Sequence, residues 1–192
     1  MDNVLSITDY GMCLFSLDVM RDFIKTEKVR TKKLLEHFQK NHNRYLAALR
    51  KGIWIPFLPI DSIEYIIKLN GYMTTFCDEW EQKIRYDGFN IEVKDTLWIT
   101  SISQLISFDG TRFSGYETSY RTLDGKNWYS GFKFDVPSGR YLVSIEGYAR
   151  KEKQDYPNPN YGFLFSLKKV DEFNGFKDPR EDEVYKFDIA NM

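Results

Sequence analysis

Four side chains of this sequence belong to the types that bind transition metals: Cys13, Cys77, His37 and His42. The two histidines are five residues apart, so a helix turns their side chains about 140° away from each other. A shared site on one helix face needs an i, i+4 spacing instead. Neither cysteine belongs to a Cys-x-x-Cys pair, the spacing typical of structural zinc sites. The spacing therefore predicts no metal and no cofactor, and His42 is expected as a core histidine on the apolar stripe of a helix.

Nucleophilic catalysis requires a nucleophile, a base and an orienting group in contact. Both histidines lie in one basic segment, remote in sequence from any serine or cysteine in a strained turn, and the sequence contains no Gly-x-Ser-x-Gly motif. Gly125-Lys126 lacks the earlier glycine of a phosphate-binding loop and is interpreted as a turn. A carboxylate pair for glycoside chemistry stays open, but the pattern singles out no pair among the 28 acidic residues. The sequence predicts a protein that is not an enzyme.

The charges of the chain are unevenly distributed. Residues 21–51 carry a net charge of +7, and residues 171–188 carry a net charge of −4. A solvated helix and a solvated loop explain this pattern, as do a basic surface for nucleic acid or an acidic surface for a basic protein. The pI of about 6.2 disfavours a dedicated nucleic-acid binder, for which a basic domain is expected.

The N-terminal quarter of the chain shows helical periodicity. A short helix is expected to begin after Asp18, and a longer one is expected at about 31–51, with its apolar residues on one stripe and its basic residues on the other faces. Gly52 supplies the C-terminal stop of this helix. The basic face is expected to lie in water.

After Gly52 the apolar residues alternate with the period of β-strands. Two hairpins are predicted, one around Asp87-Gly88 and one around Pro137-Ser138-Gly139. The two prolines of 53–59 favour an edge strand or a connection over a central strand. The polar stretch 151–160 is expected to be a mobile loop. The expected strands lie at about 63–67, 81–86, 89–93, 97–99, 132–136, 141–145, 161–167 and 184–189.

These elements predict a mainly β fold with an N-terminal helical segment (α+β), an antiparallel β-sandwich packed against one or two helices. A single domain is expected over 1–192, with a helical N-terminal segment at 1–52 and a β-sandwich body at 53–192. Two cysteines are too few for a disulfide framework and are interpreted as reduced core thiols. Because no secretory leader and no apolar segment of about 20 residues is evident, we expect a soluble cytoplasmic protein with no membrane contact.

Residues 134–141, with the sequence Phe-Asp-Val-Pro-Ser-Gly-Arg-Tyr between alternating strands, resemble the hairpin of the competence protein J family. Those proteins are small β-rich inhibitors of a bacterial DNA-entry nuclease. The wider style of the chain also resembles the immunity proteins encoded beside bacterial contact-dependent or polymorphic toxins. The resemblance implies an immunity (antitoxin) protein that neutralises a cognate toxin, with a basic nuclease as the expected partner, by occluding its active site.

An acidic surface accelerates encounters with a basic partner, so the acidic C-terminal segment is predicted to meet lysines and arginines of the toxin. The predicted partner-binding residues are Asp171, Glu172, Asp178, Glu181, Asp182 and Glu183, with Tyr156, Tyr161 and Phe173 as aromatic anchors. The alternative is a carbohydrate- or nucleic-acid-binding β-sandwich module. A sugar site would use exposed aromatic residues, for which Trp128, Tyr129 and Tyr156 are the candidates.

Overall fold

The computed structural model describes residues 2–181 and 183–192. Within these residues the chain forms two five-stranded sheets and three α-helices, which confirms the predicted mainly β fold with helices near the N-terminus. The helices are α1 (Leu17–Thr26), α2 (Leu34–Lys40) and α3 (His42–Arg50). The strands are β1 (Asn3–Ser6), β2 (Met12–Phe15), β3 (Trp54–Phe57), β4 (Glu64–Leu69), β5 (Trp80–Val93), β6 (Thr96–Ser101), β7 (Glu117–Arg121), β8 (Asn127–Asp135), β9 (Gly139–Arg150) and β10 (Tyr161–Val170).

The strands are ordered β1-β4-β10-β9-β5 in the first sheet and β3-β2-β6-β8-β7 in the second. β4 and β10 are parallel, with Gly162 opposite Ile66, while the other strand pairs of the described chain are antiparallel. The predicted purely antiparallel arrangement is therefore wrong at this pair. The direction of β10 is set by its antiparallel pairing with the preceding β9, and its free edge then meets β4 running the same way.

One apolar core contains side chains from both sheets. The ring centroid of Phe57 on β3 lies 5.3 Å from that of Phe163 on β10 and 5.1 Å from that of Phe187 in the C-terminal segment. A second core lies on the other face of the second sheet, where the helices pack and Phe38 of α2 stacks on Trp54 at 4.7 Å. Strands β2, β3 and β6 of the second sheet are thus buried on both faces, and aromatic contacts hold the helices against them.

The predicted long helix at 31–51 is two helices, because the backbone leaves the helical conformation at Asn41 (φ −125°, ψ 71°). The side-chain amide of Asn41 donates to the His37 carbonyl at 2.8 Å, and such side-chain bonds to the backbone compete with helix continuation. The break also shifts the helix phase, so that Tyr45, Ala48 and Leu49 are buried in α3. His42 is exposed, and its predicted place in the core is wrong.

The predicted hairpin around Pro137-Ser138-Gly139 is wrong. β8 pairs with β6 and β7, whereas β9 pairs with β5 and β10, so the turn carries the chain from one sheet to the other. The Ser138 hydroxyl donates to Asp95 at 2.6 Å, and the Tyr141 hydroxyl donates to the Pro137 carbonyl at 2.6 Å, which fixes this connection. Alternation shows which face of a strand is buried and does not identify its partner.

Asp87-Gly88 is a second predicted hairpin that the structure replaces with another feature. β5 continues through these residues as one strand, and Gly88 is an extra residue in its pairing with β9. Gly88 has a φ of 92°, a conformation that favours glycine in a β-bulge as much as in a turn.

The predicted strand at 184–189 is also wrong, because this segment is irregular and ends in a 3₁₀ turn at Ile189–Asn191.

The boundary expected at residue 52 does not separate helices from strands. β1 pairs with β4 and β2 pairs with β3 and β6, so residues 3–15 contribute to both sheets. Each strand has only four residues, and all four residues of β2 are buried, which leaves no alternation to detect. Of the two alternatives predicted for 53–59, an edge strand or a connection, the structure shows an edge strand, β3. None of the described helices has the length and apolar content needed to cross a membrane.

Gly52 ends α3 as predicted, with a φ of 68°. A Cβ atom there would lie 2.8 Å from the Glu92 amide nitrogen and 2.9 Å from the Phe173 ring. We expect Gly52→Ala to lower the free energy of unfolding by about 2–4 kcal/mol, because left-handed strain and overpacking add. The matched control is Gly71→Ala, where φ is 84° and no atom lies within 4 Å, with an expected loss of about 1–2 kcal/mol. Equal losses in urea titrations would contradict the close contact at Gly52.

Candidate binding surface

A groove of about 370 Å³ opens at one end of the molecule, where three connections meet the first residues of β8. These are the β1–β2, β3–β4 and β9–β10 connections. The volume falls in the range of small-ligand and side-chain-binding pockets. Three aromatic residues line this groove, which we call the aromatic groove: Trp128, Tyr156 and Tyr161.

Pairwise contacts hold the aromatic residues in place. Trp128 on β8 lies opposite Tyr120 on β7, with ring centroids 6.0 Å apart. The Lys126 ammonium donates to the Tyr156 hydroxyl at 2.9 Å and lies 5.1 Å from the centroid of that ring. This hydrogen bond is the main cause that raises the pKa of Lys126. The β7–β8 turn therefore supports the 151–160 loop, and Tyr156 still remains 74% exposed.

Hydrogen bonds inside the 151–160 loop occupy the side chains of its two asparagines, Asn158 and Asn160. Asn160 accepts from the Gln154 amide at 2.7 Å and donates to the Gln154 carbonyl at 3.0 Å. Asn158 donates to the Asp155 carbonyl at 3.2 Å, and the Arg150 guanidinium donates to the Pro159 carbonyl at 3.2 Å. Because the two asparagines are engaged within the loop, the aromatic groove presents mainly ring surfaces to an incoming molecule.

Further large apolar side chains are exposed around the groove. Tyr10 is 63% exposed, and its amide donates to the Ser62 hydroxyl, which lines the groove, at 3.3 Å. Leu123, in the same turn as Lys126, is fully exposed. Clusters of exposed apolar residues of this kind mark interaction sites. We call the cluster of Tyr10, Ile63, Tyr120, Leu123 and Tyr156 the aromatic end.

The predicted acidic residues lie elsewhere. Asp171, Glu172, Glu181 and Glu183 are exposed, and Asp182 lies outside the described residues. Tyr161 is the first residue of β10 and Asp171 follows its last residue, and the ten residues of this strand span roughly 30 Å. The structure therefore brings Tyr156 and Tyr161 together and places neither beside Asp171 or Glu172.

Asp178 and Phe173 make contacts within the protein. The Asp178 carboxylate accepts hydrogen bonds from the Tyr45 hydroxyl of α3 and from the Arg180 amide, the latter at 2.9 Å. Burial, with the Asp178 contact as a smaller cause, raises the pKa of Tyr45, so its hydroxyl stays a donor. Phe173 is half-buried against Gly52. Both residues attach the C-terminal segment to the helical side of the fold.

Tyr129 and Trp128, two of the sugar-site candidates, have different surroundings. Tyr129 is half-buried and stacks on Phe132 at 5.7 Å, at the margin of the core that contains side chains from both sheets. Trp128 instead lines the aromatic groove beside Tyr156. Two adjacent aromatic residues on one strand point to opposite faces, which explains why only one of them reaches the groove.

Within residues 2–181 and 183–192, no group of three or more His, Cys, Asp or Glu side chains is placed to hold a metal ion. His37 is half-buried beside Arg44, and burial is the larger of the two causes that lower its pKa.

Comparisons with protein-family models, with curated proteins and with solved structures find no match for the chain.

The two cysteines are free and differ in environment. Cys13 is fully buried, and burial raises its pKa to about 12, whereas Cys77 is exposed and is not the core thiol that the sequence predicts. Since the thiolate is the reactive form, we expect a disulfide reagent at neutral pH to label one thiol per folded chain and two per unfolded chain. Cys77→Ser is the control and should abolish labelling of the folded protein. Rapid labelling of two thiols without denaturant would contradict the burial of Cys13.

Proposed function

We propose that this protein is an immunity protein that binds a cognate bacterial toxin, a basic nuclease, and covers its active site. The observation that carries the proposal is the aromatic end, where large apolar side chains surround the aromatic groove. Tyrosine and tryptophan are enriched among the residues that dominate protein–protein binding energy. Trp128, Tyr156 and Tyr161 would receive or anchor a projecting segment of the toxin.

The surface suits binding to a protein better than binding to a small polar substrate. Asn158 and Asn160 line the groove, but their side-chain amides donate hydrogen bonds to carbonyl groups of their own loop. The remaining surface is largely aromatic and aliphatic, with Glu64 as its acidic side chain. Protein interfaces combine such an apolar centre with a polar rim, and Lys126 and Asp124 supply one here.

We also propose that the two sheets face each other as a β-sandwich. The contacts of Phe57 on the second sheet with Phe163 and Phe165 on the first support this arrangement. Loops at one end of a sandwich share a rigid base, as antigen-binding loops do. Such a base would keep the aromatic end preorganised and lower the entropic cost of binding.

The exposed acidic residues of the C-terminal segment would act at longer range. Charges outside a contact area still attract a basic partner and raise the association rate. Asp171, Glu172, Glu181 and Glu183 are free to do so because their side chains lie at the surface. In this proposal the aromatic end determines how long the complex lasts, and the acidic residues determine how fast it forms.

The experiment that tests the proposal is a pull-down with tagged protein from the source bacterium, followed by mass spectrometry and by a nuclease assay of the captured protein. We expect one stoichiometric protein partner with a toxin domain, whose activity is abolished at an equimolar ratio. Capture of nucleic acid or glycan with no toxin would overturn the proposal, as would a captured toxin that stays fully active in the complex.

A second candidate function, carbohydrate binding, is favoured by one observation. The rings of Trp128 and Tyr156 line the same groove as the Glu64 carboxylate, a combination that can stack on a sugar and accept from its hydroxyl groups. Affinity electrophoresis in gels containing soluble polysaccharides tests it. Retardation that disappears in Trp128→Ala would support this function, and unchanged mobility in every gel would exclude it for the polysaccharides used.

A further inference from the structure

A second concave surface is cationic rather than aromatic. It lies between the C-terminal half of α1, the loop that follows α1, and residues 108–110. Its volume is about 520 Å³. Five cationic side chains line it: Arg21, Lys25, Lys28, Arg30 and Lys32. No acidic side chain of the described residues lines it. We call this surface the cationic groove.

Among the described residues, most of these cations have no carboxylate partner. Arg21 donates to the Gly110 carbonyl at 3.0 Å and pairs with Asp18 at 3.4 Å. In the described part of the chain, the other four cations of the groove form no ion pair within 4.0 Å. Neighbouring lysines do find carboxylates: Lys33 and Lys40 pair with Glu36, Lys51 with Glu27 and Lys94 with Asp22. Most of the cations of residues 21–51 that form no ion pair in the described structure therefore lie at this groove.

Apart from Thr31 and Gly110, the rest of the groove is apolar, and a backbone hydrogen bond holds it in place. Ile24, Val29 and Phe108 line it between the cations. The Phe108 amide donates to the Lys32 carbonyl at 2.7 Å, which ties the loop after α1 to the β6–β7 connection. The volume lies inside the range of about 300–1,000 Å³ found for small-ligand sites. An apolar wall ringed by cations fits a compact anion that also carries a ring or another apolar group.

We propose that the cationic groove binds a phosphate ester on a compact organic group, of which a nucleoside phosphate is the model. A phosphate offers several charged oxygens to several cations at once, and the guanidinium of Arg30 can bond two of them in parallel. The cations around the concavity repel one another when it is empty. An anion at their centre is attracted by all of them and relieves this repulsion. The phosphate would come from a free nucleotide or from the phosphorylated end of a nucleic-acid strand. This site is independent of the proposed function and of the aromatic end.

The test is calorimetric titration of the full chain with ADP at low salt, about 20 mM, where screening is weak. We expect one ADP per chain, no heat with adenosine, and roughly tenfold weaker ADP binding in Lys25→Ala/Lys28→Ala. The control variant Lys151→Ala/Lys153→Ala removes the same charge from the exposed 151–160 loop and should bind as the wild type does. Circular dichroism verifies that each variant is folded.

Two oligonucleotide arms distinguish the sources of the phosphate. A short single strand with a 5′-phosphate that competes with ADP, while the same strand without it does not, would support the proposal with a strand end as the source. Failure of both strands to compete would support a free nucleotide. Absence of ADP binding to folded protein, equal weakening in the two double variants, or competition by the strand that lacks a terminal phosphate would overturn it.

Discussion

Replacing Phe187 by alanine is expected to lower the free energy of unfolding by about 3–5 kcal/mol, the range for large-to-small changes at buried aromatic positions. Phe187 is 1% exposed, and its ring centroid lies 5.1 Å from Phe57 on β3 and 5.4 Å from Tyr86 on β5. β3 and β5 are edge strands of different sheets, so the ring contacts side chains of both sheets. Urea unfolding monitored by tryptophan fluorescence measures the loss.

The matched control for this prediction is Val184→Ala, three residues earlier in the same segment. Val184 is 55% exposed, so its truncation should change stability by less than about 0.5 kcal/mol. Similar small effects of the two substitutions would contradict the inclusion of the C-terminal segment in the core. A large effect of Phe187→Ala alone would show that residues 184–192 stabilise the fold although they form no strand.

Features encoded by a single residue or by one strand could be predicted from the sequence. Gly52 ends α3 because a positive φ is needed there, and Asp124-Gly125 forms the β7–β8 turn for the same reason. β4 and β10 are long enough to show their apolar residues, and Pro56, which lacks an amide proton, suits the edge position of β3. These signals act over a few residues, where backbone sterics decide the outcome.

Features that depend on partners distant in sequence could not be predicted. Alternation in β8 and β9 is compatible with a hairpin and with strands in two sheets, and only the pairing with β6 and β5 decides between them. Gly88 with a positive φ fits a two-residue turn and a bulge equally well. The four buried residues of β2 have the composition of any short apolar run.

The candidate surfaces were only partly accessible to sequence reasoning for the same reason. Tyr156 and Trp128 are aromatic residues in or beside loops, a signal that can be read locally, but their common groove requires the β7–β8 turn to meet the 151–160 loop. The net charge of residues 21–51 was evident, whereas its concentration at Lys25, Lys28 and Arg30 follows from which lysines find carboxylates. The sequence does not distinguish Asp178 from the other acidic residues of its segment. Its internal role follows only from the structure, in which the Tyr45 hydroxyl donates to its carboxylate.

The contribution of the acidic segment to toxin binding separates from that of the aromatic end by its kinetics. Glu181→Lys/Glu183→Lys reverses two exposed charges that make no ion pair in the described structure. This variant should associate more slowly with the toxin at low salt, and the difference should shrink as salt screens the charges. Its dissociation rate should stay close to that of the wild type, because the aromatic contacts are intact.

Trp128→Ala/Tyr156→Ala is expected to weaken toxin binding by about 100-fold or more, mainly through faster dissociation. Aromatic anchors at the centre of an interface each contribute about 2 kcal/mol or more, and these two rings form the walls of one groove. Surface plasmon resonance measures both rates, and Tyr156→Ala alone serves if the double variant unfolds, since Tyr156 is 74% exposed. If the double variant keeps wild-type dissociation while the acidic variant loses binding at all salt concentrations, the contact lies on the C-terminal segment, and the aromatic end must have another partner.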